Sequence, residues 1–132
     1  MIIGIGVDAV DVQRFGQMLE RTPGTRARIF TSEELAYAES QVNPVPSLAV
    51  RFAAREAVMK ALGVGLGAFD FHDIWVRRRE SGEPEIIQTG RAAILADQRG
   101  VRNWKISLTH TDQTAIAYVM CFGDHPDDPS GD

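Results

Sequence analysis

The sequence predicts an α+β domain, and three observations carry that reading. A glycine-interrupted apolar strand opens the chain, a long alanine-rich helix occupies its centre, and alternating apolar residues from Trp104 to His110 and from Ala115 to Phe122 close it as a strand pair. The elements follow the order β-α-α-α-β-β-α-β-β, in runs of helices and of strands and without the regular alternation of a parallel sheet. At 132 residues, 44% hydrophobic and 24% charged, the chain accommodates one domain and no second one.

Residues 2 to 8 place Ile3, Ile5 and Val7 on one face of the opening strand, with Gly4 and Gly6 between them for close packing and Asp8 at its end. From Val12 to Arg21 the apolar stripe Val12, Phe15, Met18 and Leu19 has helical spacing, and Thr22-Pro-Gly24 stops it. Thr31-Ser-Glu-Glu34 is a capping box that opens a short helix to Glu39. Val42 to Pro46 reads as a prolyl connector, after which Ser47 caps the longest helix, Leu48 to Leu62, closed by Gly63. A glycine loop leads to a hairpin turning at Ser81-Gly-Glu-Pro84. A fourth helix starts at Thr89 or Gly90 and stops at Gly100, and the two long strands follow.

Charge is unevenly placed. The formal net charge is −4, but Asp124 to Asp132 hold four aspartates and no apolar side chain, which marks an acidic tail outside a domain of residues 1–123. The domain itself is formally neutral and has no basic surplus for broad nucleic-acid binding. From Val12 to Phe30, Arg14, Arg21, Arg26 and Arg28 face a single acidic residue, Glu20, a local charge of +3. Cys121 stands alone, in alternation with Ala115, Ala117 and Val119, so it reads as a buried inert thiol. With no long apolar run and no disulfide partner, the expected setting is the cytosol, away from membranes.

Two segments match the dinucleotide pattern G-x-G-x-x-A in letters, Gly4 to Ala9 and Gly63 to Ala68, and neither has the strand before it that a Rossmann site requires. The long helix carries more chemistry. Leu48, Phe52, Glu56 and Lys60 recur every four residues and form one ridge, apolar at its start and charged at its end. Glu56 and Lys60 are either a surface ion pair or a carboxylate and an ammonium that hold a divalent metal beside a phosphate. Asp8 is either a cap or the second carboxylate of such a site, which together with Glu56 matches the preference of Mg²⁺ for one or two carboxylates plus phosphate oxygens. His110, flanked by Thr109 and Thr111, is either a strand-end histidine or a phosphate contact.

Three blocks of this chain resemble the holo-acyl-carrier-protein synthases, small bacterial 4'-phosphopantetheinyl transferases. They are Gly4-Ile-Gly-Val-Asp8 with Arg14, the segment from Arg51 to Gly63, and Ser107-Leu-Thr-His-Thr111, in an order that spans residues 1 to about 122. The resemblance implies transfer of phosphopantetheine from coenzyme A to a serine of apo acyl carrier protein, releasing adenosine 3',5'-bisphosphate in the service of fatty acid biosynthesis. It implies Mg²⁺ on Asp8 and Glu56, catalytic roles for Glu56 and Lys60, and coenzyme A contacts from Arg51, Lys60, Gly63, Gly65, His110 and Thr111. Arg14 and Arg21 become contacts to the acidic carrier, and the chain is expected to form a homotrimer with active sites between subunits.

The chain departs from the family's pattern at Arg55, where lysine is frequent, at Val64, where threonine is, and at Asp11, where glutamate is. Asp11 reads here as the cap of the first helix. A Mg²⁺-dependent hydrolase of nucleotide pyrophosphates uses the same carboxylates and lysine and is the main alternative. A non-catalytic coenzyme-binding module is a third reading.

Overall fold

A computed structural model describes residues 1–124; residues 125–132, and with them most of the expected acidic tail, lie outside the described residues. The elements are β1 (Ile2–Asp11), α1 (Val12–Arg21), α2 (Thr25–Ile29), α3 (Ser32–Glu39), α4 (Pro44–Leu62), a 3₁₀ turn (Phe71–Asp73), β2 (Ile74–Arg78), β3 (Pro84–Gln88), α5 (Gly90–Gln98), β4 (Val101–His110) and β5 (Thr114–Gly123). The α+β class is as expected. β1, β5 and β4 form an antiparallel sheet in that order, and β2 pairs with β3 as a separate hairpin. Trp104 Nε1 donates to Gln88 Oε1 at 2.9 Å and ties that hairpin to β4.

α4 lies across one face of the three-stranded sheet. Its approach explains Gly4 and Gly6, since a methyl group on either would overlap the backbone carbonyl of Ala61 or Ala57. The buried faces of α4, β5 and the hairpin share one core with α5, while α1, α2 and α3 cover the first half of α4 around Phe15, Phe30 and Leu48.

Two expectations about β1 change, and the one about the cap of α1 holds. β1 runs on to Asp11, so Asp8 does not end the strand but sits within it, opposite Ala117 of β5. The cap of α1 is Asp11, whose Oδ1 accepts from the Arg14 amide at 2.9 Å. A register shift between Ile2 and Gly4 separates Ile3, which packs on the core, from Ile5 and Val7, which face outward. A bulge inserts one residue and so reverses the side on which later side chains fall.

The prolyl segment is also not a connector. Asn43 caps α4 through a bond from the Val45 amide to its Oδ1 at 3.1 Å, and Pro44 occupies the first helical position, where no amide donor is needed. Ser47 is consequently inside the helix and buried. Finally, the short α2, entered through Gly24 at φ 91°, adds a helix that the sequence pattern did not separate from the loop.

Glu34 and Arg55 form a fully buried ion pair between α3 and α4. Glu34 accepts from the Thr31 amide at 3.0 Å, from Arg55 Nη1 at 2.9 Å, and from the Val76 amide at 3.2 Å, while Arg55 Nε donates to the Phe71 carbonyl at 2.9 Å. Arg55 therefore serves the core and not a ligand.

Candidate active site

Lys60 projects from the last turn of α4 toward β1. Its Nζ lies 3.1 Å from Asp8 Oδ1 and 3.0 Å from the Val7 carbonyl, and among the described residues no ion pair joins it to Glu56. The surface pair that the four-residue spacing permits is thus replaced by a contact across elements. Glu56, one turn back on the same ridge, is partly buried, and burial followed by the negative charge of Asp8 raises its proton affinity, with Lys60 opposing. Asp8, Glu56 and Arg14 line one cleft of about 510 Å³ together with Phe15, Met18 and Phe52.

These groups suit a hard cation. A carboxylate partly withdrawn from water, whose ionisation a neighbouring carboxylate discourages, regains stability when a divalent ion binds the two. Asp8 and Glu56 therefore fit Mg²⁺, and Lys60 stands beside them as a fixed positive charge. Among the described residues no cluster of three or more histidine, cysteine, aspartate or glutamate side chains offers an alternative metal site.

Arg51 and His110 lie elsewhere. Both line a cavity of about 490 Å³, shared with Tyr37 and Arg78, whose walls contain none of Asp8, Glu56 or Lys60. Helix geometry accounts for the separation: nine residues from Arg51 to Lys60 turn an α-helix through about 900°, which leaves them on opposite faces. Arg51 is 4% exposed, its Nη1 donates to Ser47 Oγ at 2.7 Å, and burial lowers its proton affinity.

Of the remaining expected residues, Arg14 lines the carboxylate cleft and the others lie outside both cavities. Gly63 ends α4 in the left-handed region at φ 71°, and with Lys60 it borders a groove of about 440 Å³ between β1 and α5. Gly65 faces open space. Thr111 shapes the β4–β5 turn, its Oγ1 accepting from the Gln113 and Thr114 amides at 3.1 and 3.0 Å. Arg14 is exposed beside the carboxylate cleft, and Arg21 is exposed at the last turn of α1. Cys121 is buried as expected, and burial raises its thiol pKa. Sequence reasoning missed Tyr37 and Arg78; the readable signal was three consecutive arginines at the end of a strand, where Arg78 faces away from Arg77.

The fold agrees with comparison to known proteins. Residues 4–119 match the family model of the 4'-phosphopantetheinyl transferase superfamily, to which the chain belongs. It is similar to the holo-[acyl-carrier-protein] synthase of Micrococcus luteus, with 43% identity over 122 residues covering 91% of each chain. Its structure is similar to that of the synthase from Neisseria meningitidis, with TM-score 0.84 and 32% identity over 92% of this chain and 99% of the other. It is similar also to the Bacillus anthracis synthase in complex with CoA (3',5'-ADP), with TM-score 0.75 and 31% identity over 92% of this chain and 96% of the other.

Proposed function

We propose that this enzyme transfers 4'-phosphopantetheine from coenzyme A to a serine of apo acyl carrier protein, releasing adenosine 3',5'-bisphosphate. The observation that carries the reading is that Asp8 and Glu56 line one cleft while Lys60, outside its lining, pairs with Asp8. A phosphoryl-linked group moves by positioning and charge neutralisation, and this cleft supplies both without a covalent nucleophile. The serine oxygen forms a bond to the β-phosphorus while the bond from that phosphorus to the bridging oxygen breaks, and the electron pair leaves on the bisphosphate. Asp8 and Glu56 would hold Mg²⁺, which would supply charge neutralisation to the pyrophosphate. Lys60 adds its own positive charge near the departing oxygens. Glu56 accepts the serine proton, a role favoured by its raised proton affinity. A place in fatty acid biosynthesis in the cytoplasm follows from the same reading.

Arg51 and His110 are proposed to hold the nucleotide end of coenzyme A across a subunit boundary, which reconciles their separation from Asp8 and Glu56 with one substrate. The sheet supports assembly. Its face opposite α4 leaves Ile5 55% and Val7 52% exposed, and Val7 is paired with Tyr118 and Ala9 with Ile116 across β1 and β5. A contiguous apolar face of this kind favours burial against further copies. A homotrimer places three such faces together.

The test is intact mass of an apo acyl carrier protein after incubation with coenzyme A, with and without a chelator. Gain of the phosphopantetheine mass, abolished by the chelator, is the expected result. Cleavage of coenzyme A with an unmodified carrier would instead favour the hydrolase. Mixing inactive Glu56→Ala and Arg51→Ala chains should restore activity if each site draws on two subunits.

A further inference from the structure

Arg78 takes no part in the chemistry above, yet its surroundings are those of a ligand contact. Arg77 and Arg79, its neighbours on either side, are both neutralised by Glu85: Arg77 Nε lies 2.9 Å from Oε1 and Arg79 Nε 2.9 Å from Oε2. Strand alternation turns Arg78 the other way. There its guanidinium carbon lies 5.1 Å from the centre of the Tyr37 ring, and that of Arg51 lies 4.5 Å from the same ring. The backbone carbonyl of Gly82 accepts from Arg78 Nη1 at 3.1 Å and steadies the side chain.

Both guanidiniums line the cavity that contains His110, and Asp112 also borders it. Among the described residues neither Arg51 nor Arg78 has a carboxylate partner in an ion pair, and the buried Arg51 Nε has no hydrogen-bond partner. Burial lowers the proton affinity of Arg51, and the charge of Arg78 acts in the same direction against the opposing pull of Glu34. Bringing two cations to one aromatic ring costs stability unless an anion completes the arrangement. A phosphomonoester, with nearly two negative charges and oxygens spaced for guanidinium forks, is the group that fits.

We infer that Arg78 is a specificity-determining residue, adding a second guanidinium to Arg51 for the 3'-phosphate of coenzyme A. The inference rests on the transferase reading above. It is tested by titration calorimetry of coenzyme A and of 3'-dephospho-coenzyme A into the wild-type chain, Arg78→Gln and Arg78→Lys, with carrier loading measured in parallel. Arg78→Gln should weaken coenzyme A binding about tenfold or more, the range of one charge-assisted contact, and leave the dephospho compound unchanged. Arg78→Lys should recover part of the loss. Equal losses for both compounds, no loss for either, or no binding of coenzyme A to the wild-type chain would overturn it. A wild-type chain that binds coenzyme A but loads no carrier would refute the transferase reading and leave the Arg78 result to stand on its own.

Discussion

Lys60 pairs with Asp8 on β1, at 3.1 Å, and not with Glu56 four residues earlier on its own helix. That choice gives a helix-surface lysine a partner in the carboxylate cleft. The lysine side chain is more than half exposed, so the pair contributes little to folding. Lys60→Ala should therefore lower kcat/KM for coenzyme A by about a hundredfold, the scale of removing one preorganised charge contact, while urea unfolding midpoints stay near wild type.

Burial, followed by the charge of Asp8, raises the pKa of Glu56 from its ordinary value, so it takes up its proton at a higher pH than an ordinary glutamate. Transfer should decline on the acidic side as Glu56 protonates, and Mg²⁺ dependence should steepen over the same interval. The sign for stability is opposite. Without metal, the folded chain holds this proton more tightly than the unfolded chain, so stability falls as pH rises from the ordinary glutamate value through the folded one. Glu56→Gln should flatten that segment of a urea-midpoint against pH profile measured with a chelator and should depress transfer at every pH.

Arg14 borders the carboxylate cleft from the exposed side of α1, within a segment of local charge +3. Reversal to glutamate should weaken binding of an acidic carrier far more than binding of coenzyme A, with the larger share of the loss in association rate and in salt dependence. Surface plasmon resonance at two ionic strengths reads both. Equal losses for carrier and coenzyme would place Arg14 in the coenzyme site instead.

The Glu34–Arg55 pair is wholly withdrawn from solvent. Removing one partner strands the other charge, so Arg55→Ala should cost about 3–5 kcal/mol in urea unfolding. Replacing both with apolar residues of similar volume should recover much of that loss. A small effect of the single substitution would mean that water reaches Glu34.

Much of this was readable in the chain. Glycine at positions 4 and 6 announced a close approach, the four-residue ridge placed Glu56 and Lys60 on one face of α4, and Asp11 read as a cap, because each depends on local geometry or on a fixed helical period. Errors fell where local rules compete. Asp8 followed an apolar run and looked terminal, but pairing with Ala117 continues β1 past it. Pro44 and Pro46 looked like breakers, though proline is well suited to a first helical turn capped by Asn43.

Periodicity and composition dictate the α+β class, the order of most elements and the identity of the charged groups available for phosphate chemistry. How those groups combine depends on packing between distant elements. That packing turned Lys60 to Asp8, withdrew Arg55 into a buried pair with Glu34, and sent Arg51 and His110 to a separate cavity where Tyr37 and Arg78 join them. Such partnerships link residues far apart in the chain, and their geometry depends on how α4 packs across the sheet, a property that no local spacing encodes.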